Sequence, residues 1–290
     1  MIEARPTGPP CDTRRVDDEA LRVTHDEMRA AIDRAVDDAL ARARAALHAG
    51  ATPLVDELAR LHGGGGARLR GVLLWWGSRA TEEPDDDRVV RAAAAFELLH
   101  LMAIVHDDLM DDATVRRGVP ASHVALDTVA PGRGRSLAIL AGDLAAVLAD
   151  RELDGAGFSP DRLARARTRY DLLRLDMAAG QYLDLVATGA PAEEVASLRG
   201  GSYSIEGPLV VGALLGGAGE ALVARLEAYG RPLGTAFQLR DDLTDGEAGP
   251  GADATLAACR DHALAALAGD GLPATVVDAL AAIARGVTAP

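Results

Sequence analysis

Lysine is absent from the 290 residues: all 30 basic side chains are arginine. This fits a codon bias, and it makes every side-chain cation of fixed charge a planar, permanently charged fork. Cysteine is almost absent too, with only Cys11 and Cys259. Two cysteines near opposite ends give neither a disulfide framework nor a zinc-ligand spacing, and they predict a reducing, cytoplasmic setting. Positive charge is in deficit, 30 basic against 44 acidic residues, for a formal charge of −14. That balance argues against a general nucleic-acid binder and against adhesion to an anionic membrane surface. An anionic substrate must then be held by local arginine clusters or by metal ions, against the net field. The longest apolar stretch, Val89 to Val105, is interrupted by Arg91, Glu97 and His100. It reads as a buried core helix, so no stable membrane insertion is expected. The first residues carry Glu3, Pro6, Pro9 and Pro10 where a secretory signal would have a basic and then an apolar region.

What is present is a helix-forming composition rich in Ala, Leu and Arg, with 49% hydrophobic residues to build a core. No segment alternates β-branched residues with period two, so the fold class predicted is all-α. Residues 1–20 read as a loose arm and 21–290 as a single helical domain. Helices are predicted at about 24–48, a pair within 53–80 split by the glycines 63–66, and one running on from the acidic stretch 85–87 to about 112. A loop marked by Pro120 and Pro131 follows. Further helices are predicted at about 135–153, 160–188, 193–217 (broken near Gly207-Pro208), 219–245, 252–268 and 273–285.

Acidic pairs are common in this chain and most read as solvated turns. Two stand apart because they end apolar helices. Asp107, Asp108, Asp111 and Asp112 follow Leu98 to Val105, and Asp241, Asp242 and Asp245 close a segment containing Phe237 and Leu239. Carboxylates at i and i+4 share a helix face, so Asp107 points with Asp111 and Asp241 with Asp245. Such clusters repel internally and need a cation, and an all-oxygen set suits Mg²⁺. Two of them suggest facing helices with metal between. Arg116, Arg117 and Gly118 come just after the first cluster, and Gly66, Arg68 and Arg70 before it. Arginine forks together with Mg²⁺-binding carboxylates make a diphosphate site.

At this point the chain resembles the trans-type polyprenyl diphosphate synthases, a divergent member of the class I isoprenoid synthases. Their first motif reads here Asp107-Asp108-Leu-Met-Asp111, then Arg116-Arg117-Gly118, Pro120 and His123. The second reads Phe237-Gln238-Leu-Arg-Asp241-Asp242-Leu-Thr-Asp245. Glu97 with His100, Gly142-Asp143 and Gly180-Gln181 with Asp184 match the family's shorter signatures. The resemblance implies a helical bundle around a central cavity, three Mg²⁺ ions bridging the two aspartate motifs, and a homodimer. Metal and arginine would stabilise the departing diphosphate, and isopentenyl diphosphate would attack the allylic cation. By the same resemblance, Asp107, Asp108, Asp111, Asp241 and Asp245 would ligate metal, with Asp242 beside them in the catalytic set. Arg116, Arg199 and Gln238 would serve the allylic diphosphate. Arg70, His100 and Arg117 would hold isopentenyl diphosphate. Leu99, Met102 and Ala103 would line the chain pocket, and the absence of a ring there predicts a pocket for about fifteen carbons or more.

The chain departs from the family at three places. The family's GGKRxRP reads Gly65-Gly66-Ala67-Arg68-Leu69-Arg70-Gly71, so the lysine that contacts isopentenyl diphosphate is Ala67. The family's later Lys-Thr or Lys-Ser is Arg199-Gly200, which keeps the charge, while the 246–251 segment is short and has no basic residue. Three readings follow. The first is an elongating prenyltransferase resembling a geranylgeranyl diphosphate synthase. The second is a terpene synthase that cyclises a C15–C20 diphosphate; the loss of lysine favours it, and the count of only 3 Phe, 2 Trp and 4 Tyr to guide carbocations disfavours it. The third is a non-catalytic subunit of a heteromeric synthase, which both intact aspartate motifs disfavour.

Overall fold

The computed structural model describes residues 19–81, 86–186, 189, 194–195, 197–245 and 251–289. The side chains of 19–23, 86, 199, 242, 244 and 245 lie outside that description. The element order is α1 (Glu19–Ala46), α2 (Thr52–Gly63), α3 (Leu69–Arg79), α4 (Asp86–Met110), β1 (Val115–Arg116), β2 (Val119–Pro120), α5 (Ser122–Asp127), α6 (Gly134–Asp154) and α7 (Pro160–Val186). A π-helical segment, Ser197–Glu206, then leads into α8 (Gly207–Leu215), α9 (Glu220–Asp245), α10 (Ala252–Ala266) and α11 (Ala274–Val287). The all-α class holds. α1 begins at Glu19, two residues inside the expected arm, and residues 1–18 lie outside the described part.

α4 is the central post. Ala92 to Phe96 and Leu98, Leu99 and Val105 have no exposed surface, so the apolar stretch is a buried core helix as its composition predicts. Its alanines let α6 approach closely through Ala138, Ala141 and Ala145, which are equally buried. Close approach is most extreme between α3 and α8. A Cβ on Gly77 would lie 1.9 Å from the carbonyl oxygen of Leu209, and one on Gly212 would lie 1.9 Å from that of Leu74. Only hydrogen fits at either place, so backbone meets backbone there.

The carboxyl-terminal part is tied by polar contacts from α9. Tyr229 donates to the Leu280 carbonyl at 2.7 Å, and Arg240 reaches the Gly286 carbonyl at the end of α11. Arg225 fans over the end of α10, donating to the carbonyls of Ala266, Leu267, Ala268, Gly269 and Asp270. A helix end exposes carbonyls without intrahelical donors, and one guanidinium supplies several at once.

Two features differ from the sequence expectation. The segment after the first aspartates is not plain loop: β1 and β2 form an antiparallel hairpin pairing Val115 with Pro120 and Arg116 with Val119. Strands of two residues carry no readable alternation. Their turn is Arg117-Gly118, with φ of 50° and 80°, the pair of left-handed residues that a two-residue hairpin demands. Near Gly207-Pro208, where a bend or break is expected, the backbone stays helical and changes type, from a π-helical segment of ten residues to α8.

Candidate active site

The first aspartates sit where α4 ends. Asp111 N–H bonds the Asp107 carbonyl at 2.9 Å, which keeps Asp111 in helical register one turn above Asp107. The chain then stops helically: Ala113 N–H returns to the Asp108 carbonyl at 3.0 Å, and Asp112 adopts φ 51°. That six-to-one bond with a left-handed residue is a Schellman-type stop. Asp112 pairs with Arg135 of α6.

The three motif carboxylates do not share one direction. Asp107 is half-buried and Asp111 exposed, whereas Asp108 is fully buried. Asp108 turns in to meet Arg116 of the hairpin, whose Nε donates to its Oδ1 at 2.8 Å and whose terminal nitrogen also reaches it. Arg116 contacts Asp107 Oδ2 as well, at 3.4 Å. Burial pushes the Asp108 carboxyl up, and the Arg116 bond opposes that. Its second oxygen is buried with no hydrogen-bond partner. Asp107, Asp108 and Asp111, expected as one ligand set, are thus placed differently: Asp107 and Asp111 share a helix face by register, and Asp108 is ion-paired with Arg116. Among the described residues, no three His, Cys, Asp or Glu side chains converge as a metal cage.

Arg70, His100 and Arg117 are brought together from three elements. Arg70, in the first turn of α3, donates to Tyr203 Oη at 2.8 Å and Ser204 Oγ at 2.7 Å on the π-helical segment. Its guanidinium lies 4.4 Å over the Tyr203 ring. Tyr203 Oη is also 3.3 Å from His100 Nδ1. Arg117, at the hairpin tip, donates to the Gly65 carbonyl at 3.3 Å. Neither Arg70 nor Arg117 has a described carboxylate within ion-pair distance, and Arg70 Nε is buried without a partner. The cluster reports its own excess charge. Burial, then Arg70, Arg117, Arg116 and Arg68, hold His100 well below the usual imidazole range, so it is neutral. Burial and the same arginines lower Arg117. Glu97, buried below them, accepts from Gly71 N–H at 3.0 Å, and burial pushes its carboxyl up. An excess of guanidinium beside a helix amino-terminus can do one thing well: bind a multiply charged oxyanion.

The remaining expected residues are placed as follows. Leu99 is buried, and Met102 and Ala103 are half-buried against the core below the aspartates. Gln238 is half-buried, its Oε1 close enough that a Cβ on Gly200 would lie 2.9 Å away. Asp241 is exposed on the last turn of α9. The side chains of Arg199, Asp242 and Asp245 fall outside the described residues. Gly142 is explained by His106, since a Cβ there would lie 2.2 Å from its Nε2; that nitrogen is 3.4 Å from the Ile139 carbonyl. Trp75 and Trp76 pack edge-to-face in the core, with Trp76 Nε1 on His25 at 2.8 Å.

Sequence reasoning missed Tyr203, Ser204 and Asp33. The first two carried no motif, and nothing local marks a tyrosine that will meet an arginine 133 positions earlier. Asp33, on the polar side of α1, pairs with Arg68, which also bonds the carbonyls of His62 and Gly65.

Comparison with known proteins adds the following. The sequence model of the Polyprenyl synthetase family matches residues 53–261. A heterodimeric geranylgeranyl pyrophosphate synthase small subunit of Arabidopsis thaliana is 38% identical over 162 residues, 53% of this chain and 47% of that one. A geranylgeranyl diphosphate synthase of Methanosarcina mazei is 32% identical over 188 residues, 62% of this chain and 55% of that one. The chain thus spans about half the length of the curated relatives it matches. Among solved structures, an FPP/GFPP synthase from Zymomonas mobilis is 26% identical with a TM-score of 0.78, covering 93% of this chain and 99% of that one. A geranylgeranyl pyrophosphate synthase from Corynebacterium glutamicum, complexed with isoprenyl diphosphate and magnesium, is 24% identical with a TM-score of 0.84, covering 91% and 99%; at that identity the likeness is one of fold.

Proposed function

The chain belongs to the polyprenyl synthetase family, and from that premise we propose that it ionises an allylic prenyl diphosphate and condenses it with isopentenyl diphosphate. The observation that carries this reading is the cluster of Arg70, Arg117 and His100, whose hydrogen bonds go to hydroxyls and a carbonyl where Arg116 is bonded to Asp108. A single-substrate cyclase needs one diphosphate site, at the carboxylates. A second set of cations with no described carboxylate at ion-pair distance is what a second diphosphate substrate requires.

Asp107 and Asp111 fit Mg²⁺ as an oxygen-only pair one turn apart, with Asp108 beside them, and Asp241 and Asp245 would be the second group of ligands. Magnesium there supplies Lewis-acid stabilisation of the leaving diphosphate. Three ions is the number this reading expects. Arg116 holds Asp108 in place while its own charge faces the allylic diphosphate. Arg70 and Arg117 orient the isopentenyl diphosphate, and Leu99, Met102 and Ala103 line the pocket for the growing chain. Neutral His100 donates a hydrogen bond without adding a charge to an already cationic site. Residues 21–290 form the catalytic domain of this reading, and a cytoplasmic setting is the one it expects.

The protein is proposed to work as a homodimer. Ile139, Leu140 and Val147 on α6 and Leu172 and Leu175 on α7 are large apolar residues left exposed, and a second copy is the occupant the reading favours. The small-subunit relative favours a second possibility, pairing with a different synthase chain. Purified protein, given an allylic diphosphate with and without isopentenyl diphosphate, decides the chemistry. An elongated diphosphate is expected only with both substrates and only with Mg²⁺. A hydrocarbon released from the allylic diphosphate alone would overturn condensation in favour of cyclisation. Light scattering on the same sample reads the dimer.

A further inference from the structure

Position 67 holds alanine where a cation is expected, yet the loop carrying it is crowded with guanidinium groups. Gly65 O accepts from Arg68 at 3.2 Å and from Arg117 at 3.3 Å. A Cβ on Gly66 would lie 3.0 Å from Arg68 Nη1 and 3.6 Å from Arg117 Nη1. A third guanidinium comes from α1, where Arg29 Nη2 donates to Gly66 O at 3.0 Å. The three are not alike. Arg68 is nearly enclosed, with Asp33, the His62 carbonyl and the Gly65 carbonyl taking its donors, so it fastens the loop. Arg29 is about one third exposed, and its only described carboxylate is the outlying Asp26 at 3.4 Å. Its Nε is buried without a partner.

We propose that Arg29 of α1 is a diphosphate-binding residue that supplies, from another element, the cation missing at position 67. The inference rests on the condensation reading for the identity of the ligand, isopentenyl diphosphate. The carbonyl of Gly66 parks the guanidinium beside residue 67 in the ligand-free protein. A diphosphate oxygen is the stronger acceptor, because a bond between two charged groups outweighs one to a neutral carbonyl. Arginine suits the longer reach, since its fork can keep one nitrogen on the loop while another turns to the ligand. The glycine at 66 serves this arrangement, for any side chain there would enter the space between Arg68 and Arg117.

The test is a double-mutant cycle read by calorimetric titration of isopentenyl diphosphate in EDTA, which silences the metal-dependent site. Arg29→Met should weaken binding by about tenfold or more, and Arg29→Lys by much less. Ala67→Lys in the Arg29→Met background should restore most of the loss, while in the wild-type protein it should gain less, because the place is already filled. A lysine on the loop cannot rescue a residue whose only role is to brace α1 against that loop. Affinity of Arg29→Met within twofold of wild type overturns the proposal, and so does a loss that Ala67→Lys leaves unrepaired. Thermal melts of each variant identify any that fail to fold, and Arg29→Lys then carries the comparison. Turnover is assayed separately: wild-type protein that binds isopentenyl diphosphate through Arg29 but never condenses it overturns the condensation reading and leaves this one standing.

Discussion

Arginine does opposite things at the two ends of this molecule. At the carboxyl-terminal end, Arg225 spends its donors on five carbonyls that close α10, and Arg240 on the end of α11. Around the amino-terminal end of α3, Arg70 has two hydroxyls and an unused Nε, and Arg117 a single long bond to a carbonyl. The same residue type fastens the fold where backbone carbonyls saturate it and, in the proposed function, binds substrate where like charges crowd it. In a chain without lysine, burial and count say nothing about which is which; the partners do.

The contrast can be broken most severely at the aspartates that complete the cationic side. Asp107→Ala, or EDTA added to wild-type protein, should lower turnover by about a thousandfold or more, measured as diphosphate release with the melting temperature unchanged. Retained activity in chelator would remove the metal from the reading. Next, Arg70→Met should weaken isopentenyl diphosphate binding by tens-fold, the loss of a charge-assisted pair. Its stability should stay level or rise, because a buried cation leaves a cluster of its own sign. Arg225→Met should do the reverse. Urea unfolding should show a loss of about 2–3 kcal/mol with diphosphate affinity untouched, the worth of several bonds to one charged group. If Arg70→Met destabilises as much as Arg225→Met, the division between the two regions is wrong.

The smallest effect is in pH. His25, His62 and His100 are each held below the ordinary imidazole range, burial being the first cause in all three. A histidine with a lowered folded pKa takes up its proton more readily when unfolded. Stability should therefore be flat above the ordinary value near 6.5 and fall as pH drops below it. Melts from about pH 7.5 to 5.5 should show that slope, and bound isopentenyl diphosphate should flatten it by offsetting the arginines around His100. A slope unchanged by ligand would place the diphosphate away from His100.

Much of the fold was legible because helices announce themselves by period. The core of α4 could be read from its alanines and leucines, and a change in the helix at Gly207-Pro208 from proline chemistry. The hairpin could not, since strands of two residues show no alternation; its one signal was Arg117-Gly118, a pair that also served as a motif. For the site, spacing placed Asp107 with Asp111, and the motifs named Arg70, His100 and Arg117, which the fold brings together. The resemblance grouped Asp108 with Asp107, and the sequence did not show that Asp108 turns inward to Arg116, because successive helix positions point about 100° apart. Tyr203, Ser204, Asp33 and Arg29 were invisible because their meaning comes from residues dozens of positions away.

One consequence follows from the meshed glycines of α3 and α8. Gly77 and Gly212 leave no slack between the two backbones. α8 continues directly from the segment bearing Tyr203 and Ser204, and those hydroxyls grip Arg70 at the other end of α3. Chain connectivity, hydrogen bonds and backbone contact thus close a loop, like a linkage with every joint pinned. The π-helical segment cannot rewind alone. A change of its pitch must either drag the Arg70 guanidinium with it or tear both hydroxyls away, so whatever reaches that segment is felt at the arginine cluster as a displacement.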